Sequence, residues 1–202
     1  MTAAELVARF KAQGFHYLTE AECLGYLNDA YLLDICEEED WPFLEAIKEG
    51  KAPLEVKDLR TIEYVTNLTQ ETKLDPLRRA RITDDFSPDL TTPGSPFVYY
   101  LTEGKKVNVY PVSTNDEFAV RYWKVPEELS GTKEPLSPPR FHSLIVDGAR
   151  ARAYPNSDDW ELATAAENKF LVGLERMRDS LMNMQHDAPD DHVVVEDAAA
   201  MR

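Results

Sequence analysis

A double change of hydrophobic period constrains this chain more than any other feature. At both ends apolar residues recur every three to four positions, whereas the middle alternates every second residue and is punctuated by proline. Thr2-Ala3-Ala4-Glu5 is a capping box, with a hydroxyl and a carboxylate placed for the orphan N–H groups of a first helical turn. It predicts a helix to about Gln13, ended by Gly14. Thr19-Glu20-Ala21-Glu22 repeats the device, and Leu24, Leu27, Tyr31 and Ile35 mark the buried face of a second helix ending near the acidic run of residues 37–40. Four carboxylates at the negative end of a helix dipole need favourable surroundings, either solvent or a cationic partner. Trp41-Pro42-Phe43-Leu44 then sets two aromatics around a helix breaker. They either anchor the open end of a bundle or leave an exposed patch, so Trp41 and Phe43 are candidate interface residues.

From residue 51 to residue 126 the period is two. Residues 60–67 are rich in β-branched and aromatic side chains, and residues 97–101 read as a strand after Thr92-Pro93-Gly94-Ser95-Pro96. Residues 106–112 and 118–124 alternate. Glu103-Gly104-Lys105 makes a hairpin turn and residues 113–117 join the next pair, so an antiparallel meander of about four short strands is the economical topology. Beyond the Pro-rich residues 135–139, Ser137 is placed to cap a helix over 140–154 with Phe141, Leu144, Ile145 and Ala149 on one face. Pro155-Asn156-Ser157 breaks it. Ser157-Asp158-Asp159 opens a last helix whose stripe is Ala163, Ala166, Phe170, Leu174, Met177, Leu181 and Met184, the spacing of a bundle seam.

The expected fold class is therefore α+β: a four-helix bundle formed by the N- and C-terminal helix pairs, with an inserted small antiparallel β-sheet or sandwich domain. The boundaries are 1–50 for the first helix pair, 51–135 for the β-rich insertion, 136–186 for the second pair and 187–202 for an acidic tail. In that tail only Val193, Val194 and Val195, beside His192, have burial capacity. The tail is expected to lack structure in the isolated subunit and to order on assembly.

The chain has 202 residues and 43% hydrophobic content, enough for a real core, and a net charge of −15 from 37 acidic against 22 basic residues. That charge disfavours a nonspecific grip on nucleic acid or anionic lipid. Residues 1–10 show no secretory pattern, and no apolar run reaches the roughly 18 residues of a membrane span. Cys23 and Cys36, about 20 Å apart if one helix carries both, cannot bridge each other and are expected to stay reduced, as in a cytoplasm. The sequon Asn67-Leu68-Thr69 is then accidental.

Chemistry is sparse. His16, His142, His186 and His192 have no neighbouring His or Cys at ligand spacing, so no metal or other cofactor is implied. There is no phosphate loop and no nucleophile elbow. His142 and Ser143 diverge by about 100° on a helix and cannot form a pair there. The paired carboxylates Asp84-Asp85, Asp116-Glu117, Glu127-Glu128 and Asp158-Asp159 fall at turns or helix starts, where capping and solvation account for them. Arg78, Arg79 and Arg81 form the one dense basic cluster, read either as a solvated loop or as a contact for an acidic neighbouring surface.

The order of elements resembles that of head-to-tail adaptor proteins of tailed bacteriophages, also called connector, neck or head-completion proteins. The residues carrying the resemblance are Asn28-Asp29-Ala30-Tyr31, Trp41-Pro42-Phe43-Leu44, Pro93-Gly94-Ser95-Pro96 leading to Tyr99-Tyr100, Val109-Tyr110-Pro111, Pro138-Pro139 and the closing helices. The resemblance implies a non-enzymatic virion protein made in the bacterial host cytoplasm. It implies a homo-oligomeric, twelvefold ring under the portal protein, with a tail or nozzle protein on the distal side. Genomic DNA would pass through the ring without specific binding, and no membrane is involved. An acidic lumen would ease that passage. The competing readings are another phage joint, such as a stopper or tail-completion protein, a regulatory binding module, and a small cytoplasmic enzyme.

Overall fold

The computed structural model describes residues 1–77, 91–157 and 159–186. Both capping boxes form. Thr2 Oγ1 accepts from Glu5 N at 3.3 Å while Thr2 N donates to Glu5 at 2.9 Å, and Thr19 and Glu22 repeat the exchange. They open α1 (Ala3–Phe10) and α2 (Glu20–Asp29). Gly14, at φ 113°, takes the left-handed conformation that turns the chain between them, and Phe10 stacks on Phe15 with centroids 4.4 Å apart across that turn. After Asp29 the second helix widens over Ala30–Cys36, closing with a five-residue bond from Glu37 N to Leu32 O.

The chain then enters the first strand six residues before the alternating region begins. The strands are β1 (Glu45–Gly50), β2 (Leu54–Glu55), β3 (Leu59–Asn67), β4 (Thr72–Pro76), β5 (Val98–Thr102), β6 (Lys106–Tyr110) and β7 (Phe118–Lys124). Two more helices follow, α3 (His142–Ala153) and the 27-residue α4 (Trp160–His186).

The expected class, a four-helix bundle with a small antiparallel insertion, is overturned. The β part is one mixed seven-stranded sheet in the order β1-β7-β3-β4-β5-β6-β2, curved into a nearly closed barrel. Neither is it a meander: β7 pairs with β1 and β3 instead of β6, and β4 runs parallel to β5 through Asp75↔Val98 and Pro76↔Tyr99. Two register irregularities in β3 opposite β7 supply the bending that a barrel needs. The gap between the edge strands β1 and β2 is bridged by Lys48 Nζ, which donates to Glu55 O at 2.5 Å.

Alternation does place the barrel core. Leu54, Val56, Leu59, Val65, Leu74, Tyr99, Val107, Val109, Phe118, Val120 and Tyr122 meet inside it. The polar side chain between Val120 and Tyr122 points outward: Arg121 bridges Glu45 of β1 with Glu63 and Tyr64 of β3, stitching three strands together.

The helices form a layer centred on α3, which packs against α1, α2 and α4, whereas α4 rests chiefly on α3. Close approach requires Gly148. A Cβ there would lie 2.9 Å from the Phe170 ring and 3.0 Å from Ala30 Cβ, so α3 passes tightly between the α2 extension and α4. The helix-layer core joins Leu6, Phe10, Leu27, Tyr31, Ile35 and Trp41 to Leu144, Ile145 and the α4 stripe Ala163, Ala166, Phe170, Leu174, Met177 and Leu181.

Layer and barrel are joined by backbone-directed bonds. Arg60 of β3 donates to Cys36 O at 2.7 Å and Glu37 O at 3.2 Å. Asn28 and Leu129 exchange two bonds, and Leu136 N donates to Tyr31 Oη at 3.1 Å. The segment after β7 also seats the start of α1, whose Ala3 and Ala4 N–H groups donate to Lys133 O and Gly131 O.

Candidate assembly surfaces

Of the sequence-chosen interface residues, the structure separates Trp41 from Phe43. Trp41 has no exposed surface, and its indole Nε1 donates to Ile35 O at 2.5 Å, so in this chain it is the keystone under the widened end of α2. Phe43 is half-buried and stacks on it at 6.0 Å. Arg78, Arg79, Arg81, His192, Val193, Val194 and Val195 lie outside the described residues, as do the whole 187–202 segment and Asp158.

The acidic run has its cationic partner within the chain. Arg178 of α4 pairs with Glu39 at 2.8 Å and Glu38 at 3.3 Å, and Arg60 approaches Asp40 at 3.8 Å. Farther along, Arg152 of α3 grips Asp34 with two bonds of 2.5 and 2.6 Å, which raises the guanidinium pKa further. These pairs clamp the C-terminal end of α2 against α3 and α4.

The expected hydroxyl cap of Ser137 is not made. The helix begins at His142, and it is the carbonyl of Ser137 that bonds His142 Nε2 at 2.8 Å, while Nδ1 faces the Met1 amino group at 2.7 Å. This imidazole is 1% exposed, and burial, more than the nearby amino charge, lowers its pKa. It is a satisfied core histidine. On α4, Asp159 Oδ1 accepts from Leu162 N at 3.3 Å, which is the capping role that the sequence assigns to that carboxylate.

Asp116, half of one carboxylate pair, is held in a closed network. Its Oδ2 accepts from Asn67 at 2.9 Å and Gln70 at 3.2 Å, and Asn67 Oδ1 takes the N–H groups of Thr69 and Gln70. The amide of the sequon is thus buried and fully engaged. The network fixes the loops at one end of the barrel. The two cysteines are free and buried, and burial pushes the Cys36 thiol up to about 12, so both are packing residues. Among the described residues no group of three or more His, Cys, Asp or Glu is placed to hold a metal ion, and no helix is long and apolar enough to cross a membrane.

What the surface offers is contact area along α4. At about 40 Å this helix is more than twice as long as the α3 helix that supports it, about 18 Å. It is flanked on both sides by open grooves. One, of about 510 Å³, lies toward α2, with exposed Leu33 and Leu171 over a floor of Gly148, Phe170 and Leu174. The other, of about 630 Å³, lies toward α1, with exposed Val172 above Leu144. At the start of α4, Trp160 is 65% exposed near a cleft that Tyr17 and Leu162 line. Sequence reasoning missed these residues because it assigned α4 a single buried stripe. The signal was present in Trp160, Leu162, Leu171 and Val172, apolar residues that fall off that stripe.

The described surface is thus a barrel mounted on a layer whose longest helix has two open flanks of mixed apolar and charged lining. The SU10 adaptor protein family matches residues 1–192, and the chain belongs to this family of phage head-to-tail adaptors. No curated protein matches it.

Proposed function

We propose that copies of this chain form a ring beneath the portal protein of a phage capsid, link it to a tail or nozzle protein, and contribute part of the channel through which DNA passes. Membership of the adaptor family supplies the class. The observation that carries the finer reading is the pair of grooves flanking α4. In a ring of identical subunits every copy meets one neighbour on each side through two different surfaces, and this helix offers two different open flanks. In this reading the helical parts, residues 1–44 and 136–186, contact the portal and the neighbours, and the barrel, which starts at β1 (Glu45–Gly50), extends toward the tail. Phe43 sits at the margin between them, and Arg78, Arg79 and Arg81 are contacts for an acidic neighbouring surface.

The net charge of −15 supports a lumen that does not hold the duplex, since phosphates are repelled by carboxylates and retained by cations. Electron microscopy of the purified chain mixed with candidate portal protein tests the proposal. A ring seated on the portal is expected, with a predominantly acidic lumen. A chain that stays a monomer and ignores the portal, or a ring found only on tail-tube protein, would replace this reading with that of a binding module or a tail-completion protein.

A further inference from the structure

The cleft where the α1–α2 turn meets the start of α4 joins aromatic walls to hydrogen-bond acceptors that lack a donor. Phe15, Tyr17 and Tyr154 line it with Gln13, Asp159 and Leu162, around about 290 Å³. Gln13 Oε1 is buried and, among the described residues, has no hydrogen-bond partner. Asp159 gives Oδ1 to the Leu162 N–H at 3.3 Å, and among the described residues no donor is found at its Oδ2. The described residues lining the cleft include no lysine or arginine.

The surroundings favour positive charge. α1, through its extension over Lys11–Phe15, and α3, through Tyr154, both end here, so the negative ends of two helices lie beside the cleft. The positive start of α4 is offset by the Asp159 carboxylate that caps it. Unpaired acceptors beside ring faces suit a guanidinium, whose N–H fork bonds the carboxylate while its plane stacks on a ring. The chain already makes this pairing at one of the lining tyrosines: Arg150 lies 5.4 Å from the centre of the Tyr154 ring and donates to its hydroxyl at 3.0 Å. A phosphate would meet an unpaired carboxylate in place of a cation.

We propose that this cleft is a docking site for an arginine side chain presented by a partner protein. Asp159 Oδ2 and Gln13 Oε1 accept from the guanidinium, and Tyr17 covers its plane. A protein partner is favoured over a small free cation because Tyr17, Leu162 and Trp160, the residue after Asp159, are all exposed, and aromatic residues of this kind anchor protein contacts. The net charge of −15 favours approach of a basic surface. The site needs no ring, since a single copy of the chain presents it whole.

The probe is the peptide Ac-Gly-Arg-Gly-amide, titrated at constant ionic strength into the isotope-labelled full-length chain. The Trp160 indole N–H and the Gln13 side-chain amide are followed by heteronuclear NMR. Saturable shifts with a midpoint of about 1–30 mM are expected, the range of one exposed charge-assisted contact. Asp159→Asn keeps the capping oxygen for Leu162 and should weaken binding about fivefold or more; Tyr17→Ala, at an exposed ring, should weaken it about threefold. Lysine in place of the peptide's arginine should also bind more weakly, because an ammonium cannot both fork and stack.

No saturation up to about 100 mM, some threefold above the expected range, overturns the proposal. So does an affinity that Asp159→Asn and Tyr17→Ala both leave unchanged. Equal shifts with Ac-Gly-Leu-Gly-amide overturn the cationic occupant and leave an apolar patch. Saturation of the same signals by spermidine at about one tenth of the arginine peptide's midpoint overturns the protein partner in favour of a free polyamine.

Discussion

The barrel and the helix layer solve the same problem, the covering of apolar surface, to different degrees. The barrel pairs its strands around a nearly closed circuit, a lysine spans the remaining gap, and the Asn67–Asp116 network closes one end, while Ile47, Phe97 and Leu101 stay exposed singly. The layer leaves exposed apolar residues beside open grooves. α1, α2 and α3 pack on one another, but α4 lies across them with one face covered and both flanks open.

The comparison can be broken most sharply at Trp41. Trp41→Ala should cost about 3–5 kcal/mol, because it empties a fully buried site and strands the Ile35 carbonyl that the indole satisfies. Urea denaturation followed by circular dichroism measures this. A loss below about 1 kcal/mol would mean that Trp41 is not the anchor of the layer.

Gly148→Ala comes next, at about 1–3 kcal/mol, since the new methyl would press on Phe170 and Ala30 and lever α4 from α3. Gly25→Ala in α2 is the matched control. Nothing lies within 4 Å of its Cβ, so helix propensity should make it neutral or stabilising by up to about 1 kcal/mol. Equal effects at the two glycines would refute tight packing at the α3 crossing.

In the barrel, Asn67→Ala should cost a similar or smaller amount, about 1–3 kcal/mol, by leaving Asp116 and two backbone N–H groups short of partners. Chemical-shift changes confined to the loops at that end of the barrel would support its isolation from the layer, while changes spreading into α3 would not.

A smaller effect concerns pH. His142 has its pKa lowered in the fold, so the unfolded chain takes up a proton first, near pH 6.5. Its contribution to stability is therefore complete above about pH 6.5 and is lost as pH falls toward the depressed folded value. The Met1 amino group and Glu134 also face this ring, and they act on it in opposite senses. Urea midpoints at pH 7.5 and 5.5 should differ less in His142→Gln than in the parent chain, and an unchanged difference would remove His142 from the account.

The smallest test carries no stability change at all. Cys23 and Cys36 should react with a thiol reagent only as fast as the chain opens, because burial raises both thiol pKa values. Rapid labelling of the native protein would show that the layer breathes there.

The local devices were legible in the sequence. Both capping boxes, the Gly14 turn, the α4 stripe and the alternation of β6 and β7 depend on residues within a few positions of one another, so their chemistry is readable without a fold. β1 was not legible. Glu45-Ala46-Ile47-Lys48-Glu49-Gly50 has the charged, non-alternating character of an edge strand, a class in which the side chains protect an open edge and bury little. The sequence left the acidic run between solvent and a cationic partner for a related reason, because its main partner Arg178 stands about 140 positions away in the sequence.

By itself, then, the sequence determined where α1 and α2 begin, where much of the chain alternates, and which stripe of α4 is apolar, because backbone capping and side-chain period are local matters. Only the tertiary structure decided that β7 runs between β1 and β3, that the strands curve into a barrel, and that α4 rests chiefly on α3 where the sequence anticipated a four-helix bundle. Strand pairing and helix crossing are settled by contacts between residues far apart in sequence, such as Asn67 with Asp116 and Gly148 with Phe170, and no local period encodes them.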